Sequence, residues 1–75
     1  MSEQEDARER AIARARSIKA FKIARILSLT DASTFALWGA DRKFRAFVAD
    51  KAGVNMPSDA SWDLAIEMLD VMRRG

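Results

Sequence analysis

Apolar residues recur at three- and four-residue spacing along most of this chain, the pattern of amphipathic helices. Residues 3 to 29 are rich in strong helix formers and contain no Gly or Pro, so they read as one long helix. Ser2 or a neighbour can cap its start, and Glu3, Glu5 and Asp6 complement the positive end of its dipole. Nothing large and apolar precedes Ile12. Residues 1 to 7 are therefore expected to fray, which sets the helix at about 7–29. At ~100° per residue, Ala13, Ser17, Ala20, Ala24 and Ser28 form a narrow stripe where another backbone can approach closely. Ile12, Ile18, Phe21, Ile23, Ile26, Leu27 and Leu29 spread over much of the remaining circumference, and the second half is predicted to be the spine of the fold.

A second helical region is predicted at 33–52, with Thr30, Asp31 or Ser33 as its N-cap and Gly53 as its terminator. Gly39 lies inside it and costs about 1 kcal/mol relative to Ala, so the region is either one helix or two, with Asp41 capping the second. Leu37, Ala40, Phe44, Phe47 and Val48 share a face expected to meet the core. After a turn from Val54 to Pro57, Ser58 is expected to cap a last helix at 58–74. Trp62, Ala65, Ile66, Leu69 and Met72 follow helical spacing there, and Leu64, Met68 and Val71 widen the apolar stripe past half the circumference. A helix apolar over so much of its surface is either central or meets a second chain. The expected architecture is all-α: a small three-helix bundle, or a four-helix one if Gly39 divides the second helix, in one domain over residues 1–75.

Length and composition narrow the function. In 75 residues there is room for one core, and burial and chain entropy nearly cancel at this size. Self-association is therefore as well supported as a monomer. With no Cys, the chain has neither disulfides nor thiolate metal sites. With no His it lacks the commonest general base and metal ligand, and it has no Tyr. No enzyme, cofactor or metal is expected. The acidic N-terminal residues are the reverse of a signal peptide. The longest charge-free run, Ala32 to Ala40, is nine residues, against the ~20 needed to span a bilayer. The expected location is cytoplasmic, with no membrane partner. Nine Arg against four Lys, with fourteen Ala, point to a GC-rich bacterial or phage source.

Charge is unevenly placed. Residues 8 to 25 hold Arg8, Arg10, Arg14, Arg16, Lys19, Lys22 and Arg25 against Glu9 alone, seven minus one, or +6. Such a helix can neutralise phosphates without reading sequence, and Arg14, Arg16, Lys19, Lys22 and Arg25 are its candidate nucleic-acid contacts. No aromatic residue precedes Phe21, so stacking on single strands finds little support. The competing and favoured explanation is ordinary solvation plus pairing with the acidic last helix.

The other candidate contact is Phe35, Trp38, Arg42 and Arg45. If the helix runs through Gly39, these four lie opposite Leu37, Phe44 and Val48, exposing aromatic and guanidinium groups typical of interface hot spots. If Gly39 breaks the helix, Phe35 and Trp38 are expected to swing into the core, and that outcome is favoured. The row Asp59, Asp63, Glu67 and Asp70 lies on one helix, which does not converge ligands on a metal, and reads as a solvated or salt-bridged face. Ala49-x-x-x-Gly53-Val54 is similar to the first half of a helix-turn-helix. Pro57 inside the turn and the acidic residues that follow argue for an ordinary helical corner instead, because a duplex would repel that face. The order Leu29-Thr30-Asp31, Trp38, Ala40-Asp41, Pro57-Ser58, Trp62 resembles the C-terminal half of the Hha/YmoA-type modulators of nucleoid proteins, with one gap and no match in the first half. The expected function is a non-enzymatic protein-binding module: a regulator, adaptor or inhibitor that docks on another protein. A nucleic-acid-associated protein is the alternative.

Overall fold

The computed structural model describes residues 3–75. Four helices follow one another: α1 (Glu3–Leu27), α2 (Thr34–Trp38), α3 (Arg42–Ala52) and α4 (Asp59–Arg74), with no strand among the described residues. The all-α expectation holds, in its four-helix form. The expected cap at Ser2 lies outside the described residues. α1 is helical from Glu3 onward, and the acids Glu3, Glu5 and Asp6 at the positive end of the dipole favour that start.

Each boundary has a local chemical cause. After Leu27 the amides of Leu29 and Thr30 bond back to Ile26 and Leu27, three residues earlier, which tightens and ends the last turn two residues before the sequence suggested. The Ser28 and Thr30 hydroxyls donate to the Arg25 and Leu27 carbonyls. Ser33 is the N-cap of α2, accepting from the Ala36 amide at 3.1 Å. Gly39 does break the second helix, and Asp41 restarts it by accepting from the Phe44 amide at 2.8 Å. At the end of α3, Gly53 takes φ +70°, and the Val54 amide reaches the Ala49 carbonyl at 3.0 Å, a Schellman closure. Ser58 caps α4 through the Ser61 amide.

The buried apolar side chains form one cluster. Ala20, Ile23, Ala24 and Leu27 enter it from α1, Leu37 from α2, Val48 from α3, and Trp62, Ala65, Ile66 and Leu69 from α4. Of the small-residue stripe on α1, Ala20 and Ala24 are buried, in the half of the helix that lies against α4. Removing such side chains from water contributes roughly 25 cal/mol per Å², and the small alanines let the bulky α4 side chains sit close. Trp62 is the hub. Its indole Nε1 donates to the Leu37 carbonyl at 2.9 Å, and its ring meets Phe44 edge-on at 6.3 Å.

One expectation about the core is corrected, and one holds: the second half of α1 is its spine. Phe47 lies outside the core, exposed, with the Lys51 ammonium 5.5 Å from its ring centroid. Once Gly39 and Asp41 reset the helix, Leu37 and Val48 reach the core while Phe47 turns away. On α1, nothing before Ala20 is buried, so the first sixteen of its residues, Glu3 to Ile18, run along or beyond the bundle without entering the core. The long axis of the molecule, 45 Å, reflects this.

Candidate functional site

The four residues proposed as a docking face separate into two pairs. Phe35 and Trp38 stand three apart on α2, which places them on one face of that short helix. Phe35 is 87 % exposed and Trp38 46 %. The break at Gly39 therefore does not carry them into the core, contrary to expectation. A five-residue helix docks by a single side chain, Leu37, and its neighbours at i−2 and i+1 are left pointing away from that anchor.

Arg42 and Arg45 line a different feature, a shallow cleft of about 480 Å³ shared with Ala40, Met56, Pro57 and Asp59. Arg42 is exposed and takes part in no ion pair among the described residues. Arg45 is occupied: its Nε donates to the Ala40 carbonyl at 3.1 Å, its Nη1 to Asp59 at 2.7 Å, and its guanidinium lies 5.3 Å from the Trp62 ring centroid. With three intramolecular partners, Arg45 braces the start of α3 against α4 and drops out of the docking set. Sequence spacing gives no sign of this, because all three contacts depend on how α4 returns to the bundle.

The basic residues of α1 also divide. Arg14, Lys22 and Arg25 line one groove together with Ile18, Phe21 and Met68. Lys19 is half-buried and donates to the Met56 carbonyl at 3.3 Å, so it holds the turn before α4. Arg16 is exposed and outside that groove. The expected pairing of this helix with the acidic last helix is not found: the ion pairs among the described residues are Arg45–Asp59 and Arg74–Asp70. Asp63 and Glu67 are exposed. Among the described residues no group of three or more acidic side chains is placed to hold a metal ion.

A third surface was only half legible. The broad apolar stripe of α4 divides: Trp62, Ala65, Ile66 and Leu69 are buried at the centre of the bundle, and its outer flank stays open. Leu64, Met68, Val71 and Met72 lie beside Phe21 in an open groove of about 460 Å³, with Glu67 at its edge. The stripe on α4 was readable from spacing, but the partner wall from α1 was not.

Among the described residues no helix is long and apolar enough to cross a membrane. Comparison with family models, with curated proteins and with solved structures finds no match to this chain.

Proposed function

We propose that this protein is a non-enzymatic binding module, a small regulator, adaptor or inhibitor that docks on another protein through α2 and the start of α3. The observation that carries the reading is the outward placement of Phe35 and Trp38. Two aromatic side chains one turn apart in water, near the unpaired Arg42, have the composition of interface anchors. The partner segment this surface fits is apolar with acidic flanks, which would cover the aromatics and pair with Arg42. The absence of His, Cys and Tyr from the sequence supports a role without catalysis.

The test uses the full chain immobilised beside a Trp38→Ala, Arg42→Glu double variant. Both side chains are exposed, so the variant keeps its fold, which circular dichroism checks. Proteins retained by the wild type and lost by the variant are the expected result. Equal retention by a folded variant sinks this face.

A second reading is favoured by one specific finding, the lack of acidic partners for Arg14, Arg16, Lys22 and Arg25 among the described residues. Unpaired cations along a projecting helix suit phosphate binding. This reading expects salt-sensitive NMR shifts on titration with random duplex DNA, confined to residues 8 to 25. Absence of shifts at low salt removes it.

A further inference from the structure

The two grooves that meet at Phe21 and Met68 are stretches of one trough between α1 and α4. Its floor is apolar: Ile18 and Phe21 from α1, with Leu64, Met68, Val71 and Met72 from α4. Ile18, Phe21 and Val71 are all exposed, Val71 to 65 %. Burying such side chains stabilises an association by roughly 25 cal/mol per Å², before the costs of ordering. The two helices bring opposite charge to the trough. Arg14, Lys22 and Arg25 stand on the α1 side, and Glu67 lines the α4 side. Asp63 stands one turn before Glu67 and is exposed like it. No ion pair crosses the trough among the described residues.

A surface with an apolar floor, one basic side and one acidic side is complementary to itself. We propose that this trough is where a second copy of the chain binds, in a two-fold dimer. Charge also selects the axis. Two directions of two-fold axis lie in the plane of such a face-to-face contact. An axis across the trough sets basic side against basic side and acidic against acidic. An axis along the trough sets the α1 side of each copy against the α4 side of the other, so that Arg14, Lys22 and Arg25 face Glu67 twice over, with Asp63 one turn before it on the same helix. The dimer is the second kind. It is independent of docking through α2, which lies on other residues.

Sedimentation of the full chain from micromolar to millimolar concentration, at physiological salt, tests this directly. A monomer–dimer equilibrium is expected. Val71→Glu places a charge on the apolar floor at an exposed position, and it is expected to weaken the dimer at least about tenfold. Arg14→Glu with Arg25→Glu makes both sides acidic, and Asp63→Lys with Glu67→Lys makes both basic. Each double variant alone is expected to be monomeric, and the two mixed are expected to form a heterodimer. A wild-type monomer at every concentration overturns the proposal, as does a dimer indifferent to Val71→Glu or a mixture that stays monomeric. None of these outcomes bears on capture of another protein by Phe35 and Trp38.

Discussion

Trp62 and Leu37, twenty-five residues apart, are joined by a buried hydrogen bond of 2.9 Å from indole to backbone carbonyl. The bond fastens the five-residue α2 to α4, and with Leu37 itself it fixes the outward facing of Phe35 and Trp38. A Trp suits this position because its buried N–H needs an acceptor and finds one in the carbonyl at the end of α2, which also accepts from the Ala40 amide at 3.3 Å.

Trp62→Phe removes that donor and leaves space in the core. The Leu37 carbonyl keeps the Ala40 amide at 3.3 Å, so the expected loss is about 2 kcal/mol, combining one lost buried hydrogen bond with a cavity. Chemical denaturation followed by circular dichroism measures it. The fluorescence of the remaining Trp38 is expected to change as well, because α2 loses its tether. A variant as stable as wild type would show that the bond contributes nothing.

Arg45 and Asp59 are unequal partners. The Asp59 side chain is 93 % exposed, while that of Arg45 is 17 % exposed against the Trp62 ring. An exposed carboxylate contributes little through such a pair. Asp59→Ala is thus expected to shift stability by less than about 0.5 kcal/mol. Arg45→Ala also loses the bond to the Ala40 carbonyl and the stacking on Trp62, and is expected to cost about 1–2 kcal/mol. A double-mutant cycle separates the ion pair from the packing; a coupling as large as the whole Arg45 effect would contradict this division.

Gly39 and Gly53 both end helices, but for different reasons, and Ala substitution distinguishes them. At Gly53 an added Cβ meets nothing within 4 Å, yet φ is +70°. Its whole cost is backbone strain, about 1 kcal/mol. At Gly39 φ is −99°, an ordinary value, and the nearest atom to an added Cβ is a carbonyl oxygen at 4.0 Å. Gly39→Ala is expected to be neutral or to stabilise by a few tenths of a kcal/mol, through the unfolded chain. Thermal melts of the two variants should move in opposite directions or, for Gly39, not at all.

Arg73 spans more of the fold than any ion pair does. Its guanidinium donates to the Ala32 carbonyl at 2.6 Å and the Thr30 carbonyl at 3.1 Å, closing the loop between α1 and α2 onto the end of α4. Arg73→Met keeps the aliphatic stem and removes the donors, with an expected cost of about 1 kcal/mol for exposed charged hydrogen bonds. Amide exchange should accelerate in residues 28 to 33 and remain unchanged in α3. Uniform acceleration across the chain would argue against a local clamp.

How much of this was legible depends on the range of the interaction. Ser58, Asp41, Ser33 and Gly53 act within four residues of themselves, so their capping roles follow from chemistry visible in sequence. The break at Gly39 was one of two open alternatives for the same reason. The facing of α2 was misjudged, because a helix of five residues has no periodicity to read and its orientation is decided by Leu37 and Trp62 meeting across twenty-five residues. Arg45 looked like a free guanidinium and is a brace, which depends on the return path of α4. The pairing expected between α1 and α4 failed because the contact between these helices runs through Ala20, Ala24, Ala65 and Leu69. Their charged residues stand on opposite edges of it.

The first eleven residues of α1, Glu3 to Ala13, lie before both the core and the groove beside Met68, yet they continue a helix whose second half is firmly anchored. The anchored half serves as a ready-made nucleus, so the costly initiation step of helix formation is already complete. Each further residue then adds or melts singly, at a balance near unity for good helix formers. The arm therefore has no melting point of its own. It shortens continuously on warming, from its tip toward Arg14, and the reach of its arginines from the bundle is a graded function of temperature while the core stays intact.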